Sequence, residues 1–349
     1  MSRQGSVWSD KVSQVAQIGG IETAVLDNGI SRGMRVAWFN TGSGLRFKIL
    51  IDRGLDIADA AYNQFNLAWL NHAGFTPPQF LSDKGLDWLR TFGGGLVNTC
   101  GLQHVGGPEK DDTGERGVHG RISNTPAEII SIIQPDPARG HYDMQLTGRM
   151  RESNIFGPNL ELIRTITATL GSSRILIQDE IINRGNIPAP HMILYHCNFG
   201  WPLADAGTKL IWEGDMATRL GEPFISGQTF KTLRDTVPEH SGNGEEVAVV
   251  DIAADEQGNC RCGIYNPTIE LAVALDFPKS QLPWLTNWQH LAKGEYVTGI
   301  EPGSHPPIGQ ALARERKTLR YIAPGESIQY NLQLQVLAGY EAIQSHLKI

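Results

Sequence analysis

A large antiparallel β-sandwich is the fold this sequence predicts, and three observations predict it. The segment 326–337 alternates with period two: Ile328, Tyr330, Leu332, Leu334 and Val336 face one way, and Ser327, Gln329, Asn331, Gln333 and Gln335 face the other. That is the pattern of a strand with one buried face. Similar short apolar runs recur along the whole chain, separated by turn residues. Helical periodicity is scarce, and 39 glycines suit a chain that turns often.

Along the chain, 45–51, 142–150, 160–170, 174–182, 192–199, 247–252 and 269–277 all read as strands of ordinary length. Leu170-Gly171-Ser172 and Asn183-Arg184-Gly185-Asn186 punctuate them, and Pro324-Gly325 precedes the last strand. Two helices are expected. Ser82 caps a short one through Leu89, with Asp83, Lys84 and Asp87 exposed, and a second closes the chain from Gly339 onwards. The polar stretch 239–246 and the charged stretch 108–117 read as loops. No repeat or low-complexity linker divides the chain, so one domain spanning 1–349 is expected.

With 40% hydrophobic and 19% charged residues among 349, the chain has the composition of a globular protein with a sizeable core. A net charge of −7 argues against a general nucleic-acid role, which needs clustered Lys and Arg. The densest basic run (Arg314, Arg316, Lys317, Arg320) is interrupted by Glu315 and reads as solvated surface. No apolar run approaches the ~20 residues that span a bilayer, and the first residues lack an apolar signal core. A cytoplasmic location, away from membranes, is the expectation. Cys100, Cys197, Cys260 and Cys262 form no Cys-x-x-Cys pair and read as buried free thiols rather than zinc ligands.

Three separated motifs place titratable side chains inside strand-like or turn-like sequence. His196 lies in the apolar run Ile193 to Pro202, where a strand would put it on one face with Leu194 and Asn198. A polar group buried there without a partner costs about 1–3 kcal/mol, so it is either a bonded core histidine or a working one. Glu301 follows Val297-Thr298-Gly299-Ile300 and precedes Pro302-Gly303, a position read as the end of a strand. A base held by rigid backbone or a solvated edge carboxylate would both fit. His119 stands between glycines in Gly117-Val118-His119-Gly120-Arg121, where the backbone can approach a ligand closely. Arg121 offers a planar fork of donors, although both side chains could equally face water.

Other segments are more ambiguous. Asp52-Arg53-Gly54-Leu55-Asp56 places mixed charge at a turn, with a surface ion pair as the plain alternative to a ligand contact. The triplet Gly93-Gly94-Gly95 lacks the spacing of a nucleotide-binding fingerprint. His72 and His104 sit in loops, and Trp69, Trp201, Trp284 and Trp288 could supply stacking surface for a sugar.

Read in order, these segments resemble the aldose 1-epimerase (galactose mutarotase) superfamily, and more narrowly a little-characterised bacterial branch (DUF4432-like). The turn Ile182 to Pro188, followed by the His196 segment, is similar to the family's Asn-Thr-Gly-Asp turn and the strand of its acid histidine. The glycine triplet followed by Val118-His119-Gly120-Arg121 resembles the Gly-Gly loop and His-Gly-Phe-Ala-Arg of hexose-phosphate epimerases. Asn287-Trp288 and then Gly299-Ile300-Glu301 resemble the Trp-Asn segment and the strand bearing the base glutamate. Arg121 departs from the family's second glycine, and Cys197 follows the histidine where an aromatic or small residue is common.

The resemblance implies a galactose mutarotase-like supersandwich and an isomerase that interconverts sugar anomers. It implies Glu301 as base, His196 as acid and His119 as catalytic support. Arg53, Arg121, His104 and Trp288 would contact the substrate. No metal or organic cofactor is implied. The expected partner is a small sugar, with neither nucleic acid nor membrane, and the chain is compatible with a homodimer. A non-catalytic carbohydrate-binding protein and a metal-dependent sugar isomerase or lyase are the rival expectations. The metal case would draw on His72, His104, His119 or His196 with Glu301, but no His-x-His or His-x-x-x-His spacing favours it.

Overall fold

Alternating apolar residues give the strands their buried faces, and the computed structural model arranges them in three main sheets. It describes residues 11–78, 84–219, 221 and 223–348. The first five strands are β1 (Gly20–Val25), β2 (Arg35–Asn40), β3 (Leu45–Leu50), β4 (Asp56–Tyr62) and β5 (Phe65–Asn66), and they form one antiparallel sheet in that order. There follow β6 (Asn98–Leu102), the small hairpin β7 (Glu109–Asp111) and β8 (Gly114–Arg116), and β9 (Glu128–Ile133).

A meander of long strands comes next: β10 (Asp143–Ser153), β11 (Asn159–Thr169), β12 (Arg174–Asn183) and β13 (Ala189–Phe199). Then come β14 (Lys209–Trp212), β15 (Gly214–Thr218), β16 (Glu246–Ile252), β17 (Asn259–Asn266) and β18 (Leu271–Pro278). The chain ends with β19 (Trp284–Ala292), β20 (Glu295–Gly303), α1 (Gln310–Glu315), β21 (Arg320–Ile322), β22 (Ser327–Ala338) and α2 (Tyr340–Leu347).

One large sheet runs β14-β17-β18-β22-β12-β11-β10-β9, and the other runs β15-β16-β19-β20-β13-β21, with β6 also paired to β13. Inner faces of both sheets meet in one core. Leu146, Ile166, Ile177 and Leu332 pack there with Ile193, Tyr195, Cys197, Leu285 and Ile300, joined by Phe39, Phe47 and Ile57 of the five-stranded sheet. In β22, Tyr330, Leu332, Leu334 and Val336 are buried, as the alternation predicts.

Within this core lies an ionic knot. Arg164, fully buried on β11, forms a fork with Asp179 (2.8 and 2.6 Å) and reaches Asp56 (3.1 Å) and Thr99 (2.8 Å). Tyr195 donates its hydroxyl to the same Asp179 at 2.7 Å. The knot fastens β12 to β13 and β6, and each charge has a partner, as burial requires.

The expected strands are present within a residue or a few of their predicted ends, and the closing helix begins where Gly339 predicts. Of the expected helix before Leu89, Ser82 and Asp83 lie outside the described residues, and a short 3₁₀ turn covers Asp87–Arg90. All four cysteines are free and buried. Among the described residues, no helix is long and apolar enough to cross a membrane.

Candidate active site

Strand β13 has two apolar faces with different neighbours. Ile193, Tyr195, Cys197 and Phe199 enter the main core, whereas Met192 and Leu194 join a second cluster with Trp69, Trp88, Phe92, Val118 and Val297. His196 belongs by alternation to the second side. Register places Cys197 opposite Ile300 and Asn198 opposite Gly299, so His196 and Glu301 are cross-strand neighbours on β13 and β20. On its other side His196 faces Asn98 of β6, and Glu301 faces Thr286 of β19. The expectation that Glu301 stands at a strand end needs correcting. The β19–β20 ladder continues to Gly303, so the carboxylate is fixed inside a sheet rather than at its edge.

Nε2 of His196 and Oε1 of Glu301 lie 3.1 Å apart, and both side chains are almost wholly buried. The separation suits proton exchange, yet the oxygen has no aligned hydrogen bond among the described residues. His196 Nδ1, His119 Nδ1 and Thr286 Oγ1 are likewise buried without a partner among those residues. Unsatisfied buried polar atoms are rare in folded proteins because each costs free energy. Here four such atoms lie on groups that line one cavity.

Gly299 makes room for the pair. A Cβ at this position would overlap Glu301 Oε1 and press on His196 Cε1 at 3.3 Å. His119 reaches the same cavity from a left-handed backbone conformation (φ 56°), and Gly120 beside it has φ 71°. A Cβ at Gly120 would sit 2.5 Å from the Gly101 carbonyl oxygen, so only glycine lets this loop lie against β6. Backbone bonds from Gly101 N to His119 O (2.9 Å) and from His119 N to Gly106 O (3.0 Å) fasten it there.

Aromatic rings wall the pair. His196 stands edge-on to Trp288 at 5.5 Å, and it lies 5.3 Å from Phe92 and 6.1 Å from His119, centroid to centroid. Trp88 stacks on Phe92 at 4.4 Å and meets His119 at 4.9 Å. The glycine triplet builds this wall rather than cradling phosphate. Gly94 and Gly95 run so close to the Trp69 and Ile57 backbones that a side chain at either would collide. The cavity so formed measures about 630 Å³ and also exposes Asn71, Arg219, Glu245, His290 and Glu295.

Burial sets the proton affinities. It pushes the His196 imidazole down to about 4, only partly opposed by the Asn198 side chain. Burial also holds Glu301 well above the usual carboxylate range; Glu245 adds to the rise and Arg219 opposes it. His119 is pushed well below its ordinary value, by burial first and then by His196.

Four predicted residues therefore meet in this cavity: His196, Glu301, His119 and Trp288. Three do not. Arg53 is buried away from it, donating to Ser123 O (3.1 Å), Thr76 O (3.3 Å) and Asn124 Oδ1 (2.8 Å), so it braces loops and cannot reach a ligand there. Arg121 and His104 line a second cavity, of about 660 Å³, across the 117–121 loop. His104 is held by Gly107 O (2.8 Å) and by the Gln310 N–H (3.3 Å). Of the four tryptophans considered, Trp69 and Trp288 line this cavity and Trp201 and Trp284 do not. Sequence reasoning missed Trp88, Phe92, Arg219, Glu245 and Thr286. Among the described residues, no three His, Cys, Asp or Glu side chains cluster as a metal site requires.

The sandwich is of the galactose mutarotase-like type. A Klebsiella pneumoniae protein described as a "putative aldose 1-epimerase" superposes with a TM-score of 0.85 at 24% identity, covering 93% of this chain and 85% of that one. The Slr1438 protein from Synechocystis superposes with a TM-score of 0.64 at 18% identity, covering 86% of this chain and 95% of its own. A galactose mutarotase-like protein from Clostridium acetobutylicum gives 0.62 at 13% identity, covering 93% and 100%. These likenesses establish the fold. Among curated proteins, none matches the sequence. The chain belongs to the family described as "Domain of unknown function (DUF4432)", which it matches over residues 31–336.

Proposed function

We propose that this protein is an aldose 1-epimerase-like isomerase that exchanges the anomers of an aldose by acid–base ring opening. One observation carries the reading: a buried His–Glu pair 3.1 Å apart, with unpartnered polar atoms, at the base of an aromatic-walled cavity. In a cyclic aldose the anomeric hydroxyl and the ring oxygen are both bonded to C1, so two adjacent groups can serve both. Aromatic walls suit the C–H faces of a sugar ring.

Glu301 takes the proton of the anomeric hydroxyl while His196 delivers one to the ring oxygen. The C1–O bond of the ring breaks, C1 becomes an aldehyde, and both transferred protons are accounted for within the pair. Rotation about C1–C2 and the reverse transfers close the ring as the other anomer. His119 supports the ring-oxygen side, and Trp288 packs against the sugar. No resident metal or organic cofactor enters this scheme.

The scheme needs one exchangeable proton on the pair. Carboxylate with imidazolium, and carboxylic acid with neutral imidazole, carry the same number of protons, and burial favours the neutral arrangement. A polar substrate entering the cavity supplies the hydrogen bonds that ease the redistribution.

A screen of free and phosphorylated aldoses by NMR exchange spectroscopy tests the proposal. Faster interconversion of the anomers of at least one sugar is expected. Calorimetric binding without faster exchange would instead favour a carbohydrate-binding protein on the same scaffold.

A further inference from the structure

We infer that Glu245 is a positioning residue for this site: it holds the Trp288 ring against His196 and places a negative charge in the cavity that Glu301 lines. The inference rests on reading the cavity as an acid–base site, although Glu245 takes no part in the proton transfers.

Geometry carries it. Arg219 directly follows β15 and Glu245 directly precedes β16, so the two ends of a long connection meet at the cavity mouth. There Arg219 Nη2 donates to Glu245 Oε1 at 2.5 Å. The second carboxylate oxygen accepts the Trp288 indole N–H at 2.8 Å. Trp288 is opposite Val247 on one side and Gly299 on the other, which places it over the gap that Gly299 leaves for Glu301. Its ring meets Trp69 edge-on at 6.1 Å and lies parallel to His290 at 6.1 Å, and His290 is anchored on Gly244 O at 2.7 Å. One carboxylate thus ties together the mouth, the aromatic wall and the ring that touches His196.

The charged and titratable groups around Glu301 are few. His196 faces it from β13, His119 from the 117–121 loop, and His290 from β19. Glu295 of its own strand, Arg219 and Glu245 stand nearer the mouth, and the thiols of Cys100 and Cys197 are buried behind. Among these, Glu245 strengthens the hold of Glu301 on its proton, and Arg219 weakens it.

Two substitutions separate the jobs. Glu245→Gln keeps an oxygen for the indole N–H and removes the charge, whereas Glu245→Ala removes both. Titration of the Glu301 carboxyl carbon and the Trp288 indole N–H resonance, followed by NMR without any sugar, read them independently of activity. In both variants Glu301 should lose its proton at lower pH than in the parent protein. Only Glu245→Ala should move the indole resonance and raise KM. Unchanged Glu301 titration in Glu245→Gln, or an unmoved indole resonance in Glu245→Ala, would overturn the inference. If the parent protein exchanges no sugar anomers at all, the epimerase reading fails while these two titrations still decide the role of Glu245.

Discussion

Two cavities of nearly equal size, about 630 and 660 Å³, share the 117–121 loop as a wall, and their surfaces differ in how their polar groups are paired. In the larger one charges neutralise one another. Arg116 meets Glu109 and Asp111, each at 2.7 Å, and Arg314 meets Asp111 at 2.9 Å. Gln103 donates to Glu152 at 2.5 Å, and Glu152 also accepts the Leu102 N–H at 3.2 Å. In the smaller one, Glu301 Oε1, Thr286 Oγ1 and a nitrogen on each of His119 and His196 have no hydrogen-bond partner among the described residues. The lesson is that volume alone does not single out a candidate site. Around Arg116 the charges are paired, although its Nη2 has an ion-pair partner and no aligned hydrogen bond among the described residues. A ligand has less to exchange for its water there than where several uncharged or unpaired polar atoms gather.

The most damaging change to the contrast is Glu301→Gln. It removes the proposed base and leaves a side chain of the same size, so anomer exchange should fall by ~10²–10⁴ with the fold unchanged by circular dichroism. Gly299→Ala should come next. Its new methyl displaces the carboxylate and crowds His196, and displacements of this order cost about 10²-fold in rate. Sugar affinity measured by calorimetry should change less than the rate.

The pH profile sharpens the comparison without mutation. In the proposed scheme the His196–Glu301 pair carries one exchangeable proton. Activity should rise as pH climbs through about 4, where His196 releases the second proton. It should fall only above the raised value at which Glu301 loses the last one. The sequence scheme alone, with Glu301 ionised and His196 protonated at ordinary values, implies a narrow bell between roughly 4.3 and 6.5. A broad plateau distinguishes the two.

The smallest effect belongs to the other cavity. Arg314→Ala breaks its ion pair with Asp111, in which the arginine is about a third exposed. Thermal unfolding should show a loss of roughly 0.5–1 kcal/mol, with exchange unaltered.

Much of this could be read in the sequence, for reasons the structure makes plain. Strict alternation located β22, and His196 drew notice because it interrupts an apolar face of β13. Glu301 was legible as a carboxylate next to rigid backbone, although its place inside the ladder depends on pairing with β19, which local sequence does not encode. Arg53 misled because Asp52 to Asp56 has the composition of an exposed turn. Its burial comes from segments around Thr76 and Ser123 that cover it from far along the chain. Trp88 and Phe92 carried no periodic signal, and Arg219 and Glu245 become neighbours only when β15 and β16 pair.

The central claim is that the His196–Glu301 cavity, and not its neighbour, performs the chemistry. NMR exchange between sugar anomers, run side by side on the parent protein, Glu301→Gln and Arg314→Ala, tests it most directly. The account predicts rapid exchange in the parent and in Arg314→Ala and a loss of at least about 10²-fold in Glu301→Gln. Equal rates in the parent and Glu301→Gln, or a collapse confined to Arg314→Ala, would contradict it.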